Sequence, residues 1–225
     1  VWSTTAVEAS GDTFVQSGTS AGTNFGGNTT MILKNAVNST GSRYNRVAYA
    51  EFQYDTDFVW SGGTLEFYVA GNADGARNNG YNITYTTFNV DIYAMNDASG
   101  DESPLDFNEA NGSSQDWGLD TSVWPWNPDG GTYLGAVSIP TNGSTVGQKF
   151  ALSNAALDAF LNADPDGNVT FYFRRSDLDS QANLTLASSE HATYPGPTLA
   201  IAGSGYEYTI AYDMNGGTGT LPAPG

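Results

Sequence analysis

Short runs of β-branched and aromatic residues alternate with polar positions along this chain, and clusters of Gly, Asn, Asp, Ser and Thr interrupt them at short, regular intervals. This is the rhythm of a sandwich or barrel and not of strand-helix-strand units. The pattern predicts strands over residues 13–16, 30–34, 46–54, 64–69, 83–94, 132–139, 169–174, 183–187 and 198–202. Alternation is clearest over 83–94, where every second side chain falls on the same face. One helix is expected over 155–161: Ser153 or Asn154 can cap it, and Ala156, Leu157, Phe160 and Leu161 form an apolar stripe. Asp164-Pro165-Asp166-Gly167 ends it, because proline cannot continue a helix and Asp-Gly favours a turn. The expected fold is all-β, an antiparallel β-sandwich of jelly-roll type with one short helix.

Two segments, 71–81 and 96–129, lack regular pattern and read as loops. Loops of such length are uncommon in compact domains unless they pack on themselves or bind something. The second also carries Trp117, Trp124 and Trp126. After Ala202 the character changes: Gly203-Ser204-Gly205 reads as a flexible link, and alternation over 206–212 reads as the opening of another module. The organisation expected is one domain over 1–202, then a linker and a truncated module over 203–225. A start at Val1 without a basic and apolar leader suggests a processed piece of a longer protein.

Charge narrows the partners. Seven Lys and Arg face 24 Asp and Glu, a net charge of −17. Nucleic acid, whose binding rests on neutralising phosphates, and anionic membranes are therefore not expected partners. Without cysteine, and with His191 as the single histidine, disulfides, thiol nucleophiles and the common zinc sites are excluded. No run of about 18 apolar residues is present, so membrane insertion is not expected.

Several segments, taken in order, carry a resemblance. Gly11-Asp12-Thr13-Phe14-Val15 is followed by Thr23-Asn24-Phe25-Gly26, by residues 29–35, and by Tyr44-Asn45-Arg46-Val47-Ala48-Tyr49. Later come Val90-Asp91-Ile92-Tyr93, Trp124-Pro125-Trp126-Asn127, Ser188-Ser189-Glu190-His191-Ala192 and Pro197-Thr198-Leu199. Over about residues 8–202 this set resembles the DNRLRE-type domain. The resemblance implies a β-sandwich carbohydrate-binding module without catalysis, attached to polysaccharide lyases or microbial surface proteins, with alginate binding attributed to some members. Residues 208–219 resemble the start of a Listeria–Bacteroides surface repeat. Both resemblances imply a secreted or cell-surface protein that is part of a larger multidomain chain.

Sugar binding asks for aromatic faces against the C–H side of pyranose rings and for planar groups that meet hydroxyls and carboxylates. The ring candidates are Tyr44, Tyr81, Trp117, Trp124 and Trp126; the alternative is that the indoles plug their loop onto the core. Among seven basic residues, Lys34, Arg43, Arg46, Arg174 and Arg175 fall at strand ends and are expected to gather into one cationic groove for a uronate or sulfated glycan. The alternative is that they neutralise local carboxylates. A structural calcium ion is a further expectation, with Asp12, Asn24 and Glu190 as oxygen ligands from the first and last matching segments. Asp164, Asp166 and Asn168 alternate like ligands, but Gly167 fits a plain turn better than an EF-hand loop.

Enzyme signatures are weak. Gly18-Thr19-Ser20-Ala21-Gly22 has the nucleophile-elbow pattern but lies outside any strand-to-helix turn of an α/β sheet. Carboxylate pairs such as Asp101/Glu102 arise by chance in so acidic a chain. The sequence thus points to a non-catalytic module that tethers a larger protein to a polysaccharide, alginate among the candidates. A structural or adhesive surface domain without a sugar site is the alternative.

Overall fold

The computed structural model describes residues 5–16, 23–35, 46–56, 59–71, 86–95, 119–120, 127–128, 131–141, 143–176, 183–201 and 203–204. In chain order the strands are β1 (Thr5–Glu8), β2 (Gly11–Gln16), β3 (Thr30–Leu33), β4 (Arg46–Gln53), β5 (Val59–Trp60), β6 (Thr64–Gly71) and β7 (Thr87–Ala94). They continue as β8 (Leu119–Asp120), β9 (Asn127–Pro128), β10 (Thr132–Pro140), β11 (Lys149–Leu152), β12 (Asn168–Arg175), β13 (Leu184–Ala187), β14 (Thr198–Ile201) and β15 (Gly203–Ser204). The helix α1 spans Ala155–Ala163.

Two antiparallel sheets face each other. One has the order β1-β14-β6-β13-β3 with β11 also on β6, and the other the order β10-β7-β12-β4-β2. The fold is the all-β sandwich with one short helix that the pattern predicts. Strand β6 pairs with β14 at residues 64–66 and with β13 at residues 69–71, so the chain between those partners must leave the sheet and return. Between the sheets lies one continuous core. Phe67 of β6 meets Phe173 of β12 edge to face at 5.6 Å, and Phe52 meets Phe171 in the same way. Such quadrupole-matched pairs add about 0.5 to 1.5 kcal/mol beyond area burial.

Strands β2, β4 and β12 of the second sheet are buried on both faces. Five or six consecutive residues are buried in β2, β4 and β12, instead of every second one. The face turned away from the other sheet carries a second cluster of Val15, Val47, Tyr49 and Tyr172, with Tyr93 and Met95 against it.

Helix α1 closes one end. Asn154 is its N-cap: its side chain accepts from the Leu157 N–H at 2.9 Å, and its amide donates to the Leu134 carbonyl at 2.8 Å. Leu157 and Leu161 are the buried side of the stripe. On the other side Asp158 accepts from the backbone N–H groups of Gly62 and Gly63, and Asn162 exchanges two bonds with the Trp60 backbone. Asp164 stops the helix by accepting from the Gly167 N–H and the Tyr54 hydroxyl.

Candidate functional site

Strand ends position the basic residues. Beyond β3, Lys34 forms a β-bridge with Arg46, the first residue of β4, each N–H reaching the other's carbonyl at 3.0 Å. Directly opposed residues in such a pair send their side chains to the same side. Two cations are thereby brought together in a chain that holds seven. Burial, and after it the charge of Arg46, pushes the Lys34 ammonium below its usual range. The guanidinium of Arg46 donates to Gln16 at 2.6 Å and to Asn183 at 3.0 Å. These carboxamides orient the fork.

The other two described arginines go elsewhere. Arg174 and Arg175 follow one another on β12, so their side chains leave opposite faces. Arg174 lies on the face away from the other sheet, donating to Asp91 at 3.0 Å and to the Tyr93 hydroxyl at 2.9 Å. Arg175 turns inward and is 1% exposed, with its guanidinium carbon 3.6 Å from the Phe88 ring centroid. That cation-over-ring contact holds it inside the sandwich, out of reach of a polymer at the surface. The sequence reading places both arginines in one groove with Lys34 and Arg46; in the structure Arg174 is paired with Asp91 and Arg175 is interior. Arg43, Tyr44, Tyr81, Trp117, Trp124 and Trp126 lie outside the described residues.

The three residues expected at a cation divide as well. Asp12 of β2 accepts from the Ser189 N–H at 2.7 Å, and Glu190 is close enough for its charge to raise the Asp12 pKa. Burial is the larger cause, and together they push the Asp12 carboxyl up to about 6 against the opposing Ser189 hydrogen bond. Asp12 Oδ1 is buried and has no hydrogen-bond partner. A hard cation would suit that oxygen, since it takes carboxylate ligands and offsets their repulsion. Asn24 is engaged in a local turn, with its Oδ1 accepting from the Gly26 N–H at 2.8 Å. Among the described residues no group of three or more His, Cys, Asp and Glu stands ready for a metal.

A feature the sequence reading did not single out is an aromatic row carried by the excursion 188–197 between β13 and β14. The excursion is pinned along its length. The Ser188 hydroxyl donates to the Asn28 carbonyl, Ala9 donates to the Pro197 carbonyl, and His191 Nδ1 accepts from the N–H groups of Thr193 and Tyr194 at 3.2 and 3.0 Å. Gly196 passes so near Ser189 that a Cβ would sit 2.7 Å from the Ser189 nitrogen, so only glycine fits. The result is a fixed aromatic row: Tyr68 of β6 and Tyr194 lie with planes 3° apart at 6.1 Å, and His191 and Tyr194 with planes 14° apart at 5.1 Å. Beside it opens a hollow of about 220 Å³ lined by Glu8, Ser189, His191, Thr193 and Tyr194 among others. A Tyr before Pro-Gly-Pro and a Tyr in mid-strand give no periodic signal, which is why pattern alone passes over them.

This arrangement offers polar and aromatic surface on a rigid β scaffold. Among the described residues no helix is long and apolar enough to cross a membrane. No curated protein matches the chain. The profile of carbohydrate-binding module family 96 matches residues 3–203, nearly the whole chain and the whole of the sandwich. The chain belongs to carbohydrate-binding module family 96, a family of non-catalytic binding modules.

Proposed function

We propose that this module tethers a larger extracellular or surface protein to an acidic polysaccharide such as alginate, gripping uronate carboxylates where Lys34 and Arg46 meet. The observation that carries this reading is their pairing across the β3–β4 corner within a chain of net charge −17. A guanidinium already oriented by Gln16 and Asn183 meets a carboxylate with little further ordering. Long-range repulsion from the remaining acids slows encounter with a polyanion and makes binding depend on salt. Tethering then raises the local concentration of whatever the chain is joined to, with no bond made or broken.

Calcium belongs to the same proposal as a structural ion, held by the Asp12 and Glu190 carboxylates, where it would offset the repulsion that raises the Asp12 pKa.

Native gel electrophoresis through alginate, pectate and neutral dextran tests the sugar reading. Retardation by a uronate polymer that falls at least tenfold in Lys34→Glu and Arg46→Glu is expected. Equal migration of wild type and variants in alginate and pectate would reject the corner, and migration unaffected by every polymer would favour a structural surface domain.

A further inference from the structure

The row formed by Tyr68, Tyr194 and His191, with the hollow at its side, has no part in the cationic corner and shares no residue with it. We infer that this hollow is a second carbohydrate subsite, one that takes a single uncharged pyranose unit.

Five observations converge. The rings are near parallel and each is only partly buried, so the row offers aromatic surface of the kind that meets polarised C–H groups of a pyranose. The hollow, about 220 Å³, is monosaccharide-sized, being equivalent to roughly seven waters at about 30 Å³ each. Its polar lining faces both ways in hydrogen bonding. Because His191 Nδ1 already accepts from two backbone N–H groups, the neutral ring carries its hydrogen on Nε2 and is a donor there; the Glu8 carboxylate accepts and the Thr193 hydroxyl does either. Sugar hydroxyls need such a mixture.

The sign of the charge then selects the ligand. Glu8 lines the hollow, and the lysine nearest the row, Lys149 opposite Tyr68 on β11, is bound by both carboxylate oxygens of Glu66 at 2.8 Å. A uronate carboxylate would meet Glu8 unfavourably, whereas a neutral hexose gives that carboxylate hydroxyls to accept from. Rigidity favours the same reading, since a loop pinned by Ser188, His191 and Gly196 loses little freedom when a ligand arrives. This inference rests on the family's carbohydrate-binding role and not on the uronate reading of Lys34 and Arg46, so either can fail alone.

The test is NMR titration of the 225-residue chain with cellohexaose, mannohexaose and maltohexaose, and separately with a mannuronate hexamer, following the ring signals of His191, Tyr68 and Tyr194. Saturable shifts of these signals with at least one neutral hexaose are expected, together with at least tenfold weaker binding in Ala192→Arg. Ala192 is exposed and lines the hollow, so this substitution fills space without removing a packed group. Lys34→Glu should leave the neutral titration unchanged, whatever it does to the mannuronate one. Ring signals unmoved by all three neutral hexaoses, or moved equally in Ala192→Arg, would overturn the subsite.

Discussion

Asp12 and Ser189, 177 residues apart in the chain, are joined by a 2.7 Å hydrogen bond from the Ser189 N–H to the buried Asp12 carboxylate. This bond pins the excursion 188–197 to β2 and places a burdened carboxylate at the junction. With a pKa raised from 3.8 to about 6, Asp12 binds its proton more tightly folded than unfolded. Its contribution is therefore fully present below pH 3.8 and is lost as pH rises through about 6. In chelator-treated protein, wild type should lose roughly 2 to 3 kcal/mol relative to Asp12→Asn between pH 4 and 7, at 1.36 kcal/mol per unit of pKa shift. Urea unfolding of the two at several pH values measures this; a constant difference would contradict it.

Calcium should act on the same residue. Addition of calcium is expected to raise the melting temperature of wild type at pH 7 and to leave that of Asp12→Ala unmoved, because a bound ion stabilises by mass action only where it has ligands. Identical melting of wild type with calcium and with chelator would remove the ion from the account.

Helix α1 is held to the turn before β6 by Asp158, which accepts from Gly62 and Gly63 at 2.8 and 2.7 Å. Asp158→Ala leaves both N–H groups without that acceptor, and a loss of about 1 to 3 kcal/mol is expected. Asp158→Asn keeps one acceptor oxygen and should fall between. Urea midpoints of the three proteins decide this, and a variant as stable as wild type would show that water serves those groups equally well.

Much of the sandwich was legible in the sequence. All nine predicted strands and the helix correspond to elements of the structure within a few residues, because alternation and turn residues report local conformation directly. Strands β1 and β11, and the two-residue strands β5, β8, β9 and β15, were not: Thr5–Glu8 and Lys149–Leu152 take their conformation from pairing with β14 and β6. The site was legible only in part. Lys34 and Arg46, twelve residues apart in the chain, meet through the bridge that follows β3 and opens β4, a separation short enough for local pattern to suggest. Arg174 and Arg175 part company because neighbours on a strand face opposite ways, and which of them enters the core depends on sheet packing. The Tyr68–Tyr194 pairing joins mid-strand to a distant excursion, and no window of sequence contains both.

The interior position of Arg175 separates structure from binding. Arg175→Ala removes a fully buried side chain from over Phe88 and should cost about 3 kcal/mol or more. Arg175→Met keeps most of the volume and should cost less. Folded Arg175→Met is expected to bind polysaccharide as wild type does, measured by the same gel retardation; a selective loss of binding would mean that the residue reaches the ligand.

Gly147 has φ of +82°, and a Cβ there would sit 2.8 Å from the Tyr194 hydroxyl. Gly147→Val should therefore strain the turn and push Tyr194 away from Tyr68. Loss of the Tyr68 and Tyr194 ring-current shifts in NMR spectra is the expected sign, and unchanged shifts would show that the row does not depend on this glycine.

The central claim, that the chain holds a polysaccharide without cleaving it, is tested most directly by size-exclusion chromatography of the protein mixed with high-molecular-weight alginate. The protein is expected to move forward into the polymer peak while the polymer keeps its elution volume after prolonged incubation. Protein eluting at its own volume, or polymer drifting to smaller size, would contradict it.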